Sequence, residues 1–222
     1  MDDGITGRAF EQAEGLGDWR VVGDGACAFF PTPSFAAGVE LVRAIGAVAG
    51  VEAHPPDVDV RPDGVTVRLI TVADDWYGMS RRDIEIARWI SAAARRLGLV
   101  ADSSAVQSVL IIPGAPDTAH VMPFWEAALG YARRPDSPDA DLVDPRGRGP
   151  GLWFETMEQP RSGGMGAVHV AVWVPSERAE ERVAATLGAG GRMVRDAFAP
   201  SWWTLADAAG NEVDIASVTG RE

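Results

Sequence analysis

The sequence predicts an α+β chain in two parts: an N-terminal sheet with helices on one face, then a C-terminal pair of βαβββ modules. Three observations predict it. Its 222 residues give room for two small domains of roughly 100–150 residues or less. A hydrophobic fraction of 46% beside 23% charged residues is the composition of a chain with a buried core rather than a disordered one. Near residue 100 the rhythm of apolar runs also changes, from helices mixed with a hairpin to two successive strand-helix-strands units.

The elements follow in order. After an N-terminal helix, Gly25-Ala26-Cys27-Ala28-Phe29-Phe30 suits a strand. Pro31-Thr32-Pro33 leads into a helix on which Phe35, Val39, Val42 and Ile45 recur at helical spacing. His54-Pro55-Pro56 ends it, because two prolines cannot continue a helix. Val58–Val60 and Val65–Thr71 are β-branched runs joined by Arg61-Pro62-Asp63-Gly64, a hairpin signal. Ser80 with Asp83 three residues later has the chemistry of a capping box, and Ile84, Ala87, Ile90 and Ala94 carry that helix to Gly98. The polar stretch Ala101-Asp102-Ser103-Ser104 marks the boundary, giving domains 1–102 and 103–222. Beyond it the pattern reads strand 106–112, helix 117–130, strands near 140–157, strand 167–174, helix 176–188 and strands near 192–216.

Composition closes several routes. All 20 basic residues are Arg, so there is no Schiff-base lysine, phosphate-loop lysine or lysine base, and no nucleotide cofactor is expected. A single Cys, Cys27, excludes an internal disulfide and any multi-cysteine metal site. The net charge of −12 argues against nucleic acid or an anionic membrane as partner. With no apolar run of membrane-spanning length and an acidic Met1-Asp2-Asp3 start, the expectation is a soluble cytoplasmic protein.

Trp19, the Phe29-to-Phe35 entry from strand to helix, Ala53-His54-Pro55-Pro56-Asp57-Val58, Val65–Thr71 and Gly78-Met79-Ser80-Arg81-Arg82-Asp83 occur in an order that resembles the pterin-4a-carbinolamine dehydratases. The resemblance covers Trp19 to Leu99. It implies dehydration of a hydroxylated pterin, without metal, by histidines acting as acid and base, with Asp57, Thr71 and Arg82 lining the pocket. The family's fingerprint has two adjacent His before Pro-Asp/Glu and a third after the Thr that ends the long strand. Here His54 holds the first position, Pro55 replaces the second and Val72 the third; Gly50 stands where an acidic residue is usual. Two extra residues around Asp74-Asp75-Trp76-Tyr77 reshape the adjoining loop. Dehydration needs one group to protonate the departing hydroxyl and another to take the N–H proton. One imidazole can shuttle both, whereas Pro and Val can do neither. As a residue at a helix end, His54 also suits capping of the last carbonyls.

Pro123-Phe124-Trp125-Glu126-Ala127-Ala128-Leu129-Gly130-Tyr131 and Asp207-Ala208-Ala209-Gly210-Asn211-Glu212-Val213 resemble the first-helix signature and C-terminal turn of the vicinal oxygen chelate superfamily, the glyoxalase and bleomycin-resistance fold. That resemblance covers about Val106 to Val218. It implies metal ligands at Gln107, Glu155, His169 and Glu212, a set suited to a divalent Zn, Ni, Mn or Fe ion, with Glu212 moving a proton. Metal-free members that use their cupped sheet only to hold a ligand fit as well. Trp153, Trp173, Trp202 and Trp203 read as core and cup wall, with Trp202 and Trp203 positioned to face a flat ligand.

Three functions follow: a small-molecule lyase or isomerase using His54 or the His169, Glu155 and Glu212 group; a true pterin dehydratase; or a ligand-binding resistance protein without turnover. By resemblance, a homodimer is expected.

Overall fold

The computed structural model describes residues 3–157, 168–206 and 212–220. The chain divides into two compact units, one running to Val106 and the other from Gln107 to Gly220.

The first unit begins with β1 (Gly4–Ile5), α1 (Gly7–Glu11), β2 (Arg20–Val22), β3 (Gly25–Pro31) and α2 (Phe35–Gly46). A 3-10 turn, Val51–Ala53, precedes β4 (Asp57–Arg61), β5 (Gly64–Leu69), β6 (Thr71–Ala73), β7 (Trp76–Ser80) and α3 (Arg81–Arg96). Four strands form an antiparallel sheet in the order β2-β3-β5-β4. Strand alternation puts Ala26, Ala28, Phe30, Val65, Val67 and Leu69 on one face, all fully buried. The opposite face carries Cys27, Phe29, Thr66 and Arg68 and the exposed Asp57, Asp59 and Arg61. The predicted hairpin between β4 and β5 forms, with Arg61 opposite Gly64.

Two helical details differ from the sequence pattern. On α2 the buried stripe is Gly38, Leu41 and Ile45, while Phe35 is left 56% exposed. A Cβ at Gly38 would stand 3.1 Å from side-chain atoms of both Val60 and Val65, so the missing side chain brings the helix onto the sheet at that turn. On α3 the buried stripe runs through Ile86, Ala87, Ile90 and Ala94, which places Ile86 rather than Ile84 inside. The run Val65–Thr71 is also divided. Leu69 ends β5, and Thr71 starts β6, which joins β1 and β7 in a separate three-stranded sheet.

The second unit contains β8 (Ser108–Ala115), α4 (Thr118–Leu129), β9 (Ala132–Arg133), β10 (Asp141–Val143), β11 (Gly151–Trp153), β12 (Glu155–Thr156), β13 (Val168–Trp173), α5 (Ser176–Gly188), β14 (Arg192–Arg195), β15 (Trp202–Ala206) and β16 (Glu212–Ala216). They build one sheet, ordered β14-β15-β16-β13-β8-β11-β10-β9, with β12 alongside β8. Gly130 ends α4 with φ +66°, a conformation that glycine adopts without penalty. One face packs Val174, Leu205 and Ile215 against Ala179 and Val183 of α5. Further along, Leu142, Leu152 and Phe154 pack with Met122 of α4. Both αβ layers match the predicted succession of strands and helices. Of the C-terminal turn motif, Asp207 to Asn211 lies outside the described residues, and Glu212 and Val213 begin β16.

Candidate functional site

The first unit's polar centre forms where three elements meet. The capping box at the start of α3 fixes Asp83, because its Oδ2 accepts from the Ser80 backbone N–H at 2.7 Å and from the Ser80 hydroxyl at 2.9 Å. Thr71, at the start of β6, places its hydroxyl 2.8 Å from both Asp83 Oδ2 and Ser80 Oγ, and its single proton goes to one of them at a time. His54, held by the turn after the 3-10 segment, completes the group: its Nε2 lies 2.6 Å from Asp83 Oδ1 and 3.4 Å from Thr71 Oγ1. The ring therefore bonds a carboxylate rather than the carbonyls of the helix before it.

Asp83 is fully buried. Burial alone pushes its carboxyl up, but hydrogen bonds from His54, Thr71 and Ser80 together outweigh that and hold it below the usual aspartate range. An ionised Asp83 accepts from Nε2–H, which leaves Nδ1 as the ring nitrogen with a lone pair. This is a tautomer-fixed imidazole, the arrangement that lets one His accept a proton at a defined atom.

Asp83 is the member of this group that the sequence marks only as a helix cap. The pattern Ser80-Arg81-Arg82-Asp83 was legible as a cap, and the carboxylate that makes the cap is the one that orients His54. Of the predicted pocket residues, Thr71 joins this group. Arg82 donates from Nη2 to the Gly50 carbonyl at 3.1 Å, tying α3 to the residue before the turn that carries His54. Asp57 instead sits exposed on β4, opposite Arg68, with 3.3 Å to its Nη1.

In the second unit, register decides which predicted residues share a face. His169 pairs with Ile112, and Ala171 faces both Leu110 on β8 and Asp214 on β16. Asp214 in turn faces Thr204 on β15. Paired residues point to the same side of a sheet, so His169, Asp214 and Thr204 lie together on the side away from α5. All three are buried. Thr204 Oγ1 donates to Asp214 Oδ1 at 2.6 Å, and His169 Nε2 lies 3.2 Å from Asp214 Oδ2.

Alternation places Glu212 on that side with Asp214, and Glu155, opposite Gly114, there as well. Gln107 is elsewhere. It immediately precedes Ser108, the partner of Trp173, and so stands five residue steps from Ile112, about 17 Å along a strand at about 3.4 Å per residue. Its parity is that of Val109 and Ile111, on the helix side, where its Oε1 accepts from Arg182 of α5 at 3.5 Å. The expected four-residue metal set is therefore not assembled. Among the described residues no group of three or more His, Cys, Asp or Glu side chains is placed to hold a metal ion.

The two adjacent tryptophans also separate. Trp203 packs against the α5 core, while Trp202, on the opposite side with Thr204, stacks on Phe198 with ring centroids 4.3 Å apart. A pair of neighbours on one strand cannot both face one ligand.

Fold and site together define a two-domain α+β chain: a small dehydratase-like sheet with a single oriented imidazole, followed by a glyoxalase-like sheet. The family model described as "Pterin 4 alpha carbinolamine dehydratase" matches residues 5–93, and the one described as "Glyoxalase-like domain" matches residues 108–216. A Mycobacterium leprae (strain Br4923) protein named "Putative pterin-4-alpha-carbinolamine dehydratase" is 34% identical over 73 residues, 33% of this chain and 76% of its own. A Nocardia farcinica (strain IFM 10152) protein of the same name is 36% identical over 80 residues, 36% of this chain and 82% of its own. Among solved structures, a transcriptional coactivator/pterin dehydratase from Brucella melitensis aligns at 21% identity and a TM-score of 0.32, over 39% of this chain and 89% of that one. Through its N-terminal half the chain belongs to the pterin-4a-carbinolamine dehydratase family, and it joins to that half a glyoxalase-like domain. Among the described residues no helix is long and apolar enough to cross a membrane.

Proposed function

We propose that this chain is a small-molecule lyase whose N-terminal domain dehydrates a carbinolamine, a 4a-hydroxytetrahydropterin being the first substrate to test. The observation that carries the reading is the 2.6 Å contact between His54 Nε2 and Asp83. With Nε2–H committed to the carboxylate, Nδ1 is the atom that exchanges protons with substrate. As imidazolium, His54 donates from Nδ1 to the hydroxyl; the C–O bond breaks with its electron pair on oxygen, and water leaves. The neighbouring nitrogen's lone pair forms the C=N bond, and its N–H proton returns to Nδ1. One proton is given and one received, so the imidazolium is restored. Asp83 holds the ring through Nε2–H in both its cationic and its neutral state without itself becoming protonated. Thr71 and Ser80 hold that carboxylate, and Arg82 steadies the turn before His54.

General acid–base help of this kind contributes about 10²–10⁴-fold. The test is the rate of dehydration over the spontaneous reaction. Wild type accelerates it, and His54→Ala removes the acceleration. A wild-type rate equal to the spontaneous one overturns the reading.

For the C-terminal domain we propose ligand binding on the sheet face that carries His169, Glu212 and Trp202. The buried His169, Asp214 and Thr204 group supports it, since polar side chains kept in a water-poor setting specify orientation. We propose further that the protein is a cytoplasmic homodimer, a state that light scattering of the purified chain reads directly.

A further inference from the structure

A strand histidine in a glyoxalase-like sheet is expected to bind a metal ion, and the donor set here does not fit one. Gln107 projects to the helix side of the sheet and is engaged by Arg182. Along β8 it stands five residue steps from the partner of His169. No rotamer change bridges about 17 Å of strand. His169 has meanwhile a different partner. Its Nε2 lies 3.2 Å from Asp214 Oδ2, and the other oxygen of that carboxylate takes the Thr204 hydroxyl at 2.6 Å. The three residues come from β13, β16 and β15, three adjacent strands, and all three are buried.

We propose that the glyoxalase-like domain is metal-independent: His169 serves as a hydrogen-bond donor to Asp214 within a three-strand clasp, in place of the metal-binding role its position suggests. The chemistry follows from the donor inventory. A neutral imidazole has one N–H and one lone pair. With Nε2–H directed to Asp214, the lone pair is at Nδ1. A carboxylate contact of this kind also stands behind metal-bound imidazoles, so what argues against a metal is that, among the described residues, no three His, Cys, Asp or Glu side chains are grouped to hold one. Any ligand on this face is then held by hydrogen bonds and by the apolar neighbours Leu110, Ile112 and Ala171, which share the side with His169. This inference is independent of the N-terminal reading, because it concerns a different imidazole.

The full chain, stripped with EDTA, is titrated with Zn²⁺ and with Ni²⁺ by calorimetry, beside His169→Gln. In parallel, long-range ¹H–¹⁵N spectra record the imidazoles, which three single His→Gln variants assign, since the chain has only three His. The expected result is no metal uptake that depends on His169, and an Nε2-protonated His169 that one equivalent of Zn²⁺ leaves unshifted. Asp214→Asn should alter the His169 signature, whereas Thr204→Val, which keeps the carboxylate, should preserve it. Metal bound equally by wild type and His169→Gln leaves the inference standing, because surface carboxylates account for it. One equivalent of Zn²⁺ or Ni²⁺ bound by wild type and lost in His169→Gln overturns it. So does a Zn²⁺-induced shift of His169 in wild type, a readout that stands even where a variant does not fold.

Discussion

Replacing Asp83 with Asn keeps the size of the side chain and removes its charge, which isolates what the carboxylate does for His54. Four contacts converge on the two oxygens: Nε2 of His54 at 2.6 Å, the Ser80 N–H at 2.7 Å, the Thr71 hydroxyl at 2.8 Å and the Ser80 hydroxyl at 2.9 Å. In Asp83→Asn the amide oxygen can still cap the Ser80 N–H, so the amide NH₂ turns toward His54 Nε2. Two donors then face each other unless the ring changes tautomer, which moves the proton to Nδ1 and removes the base. A hydrogen bond to a charged group contributes about 1.5–3 kcal/mol against about 1 for a neutral one, so exchanging charged for neutral acceptance and losing one donor costs about 2–3 kcal/mol. For a unit of about 100 residues that is roughly 8–24 °C in Tm. The pH dependence has a definite sign. Asp83 is held below the usual aspartate range when folded, so its stabilisation is fully present above about pH 4, its unfolded value, and is lost as pH falls through the lower folded value. The gap between wild type and Asp83→Asn should therefore be widest at neutral pH and close in acid. Calorimetric melting across pH 2–7 measures it, and the dehydration rate of the variant should fall by about 10²-fold or more. A variant that melts with wild type at pH 7, or keeps its rate, refutes the argument that this carboxylate orients the ring.

Two further predictions concern the same unit. Burial pushes the Cys27 thiol up to about 11 against the opposing pull of Arg68; at pH 8 only about one molecule in a thousand carries the thiolate, so an aromatic disulfide reagent should label native protein at least about 100-fold more slowly than unfolded protein, and labelling at equal rates contradicts this. Gly38→Val drives a side chain into Val60 and Val65, which a Cβ would meet at 3.1 Å, and should destabilise by about 1–3 kcal/mol, read as a lower denaturant midpoint; an unchanged midpoint means α2 does not need that close approach.

Much of the fold was legible because its signals are local. The turn Arg61-Pro62-Asp63-Gly64 sits between two alternating runs and closes a hairpin; Ser80 and Asp83 start α3; Ser176 to Gly188 is helical where the apolar spacing places it. What escaped depends on partners distant in sequence. Phe35 fits the apolar spacing of α2 as well as Leu41 does, and only the approach at Gly38 selects the buried stripe. The break after Leu69 follows from pairing of Thr71 with Gly78 in another sheet, which no property of Val65–Thr71 announces. For the site, His54 and Thr71 were found through their family positions, whereas Asp83 was read for its local work and its tertiary partner lay 29 residues away. The separation of Trp202 from Trp203 follows from period alone, since neighbours on a strand face opposite sides, whereas the place of Gln107 depends on the pairing of His169 with Ile112, a register set across strands.

The same chemical solution occurs once in each unit. His54 has Asp83 and Thr71; His169 has Asp214 and Thr204; in both, Nε2 meets a carboxylate whose other oxygen is held by a threonine hydroxyl. A chain without lysine and with its one thiol buried has few groups able to exchange protons near neutral pH, so the state of each ring matters. An imidazole free to change tautomer offers substrate a donor or an acceptor at the same atom, and gains nothing from being well placed. A carboxylate that is itself immobilised removes that ambiguity for a modest local cost, since the desolvation of the aspartate is offset by the bonds it accepts. In the proposed reaction, Nδ1 of the first unit's ring would do alone what the family fingerprint divides among several histidines, and one oriented ring that first gives and then takes a proton is the minimum for such a step.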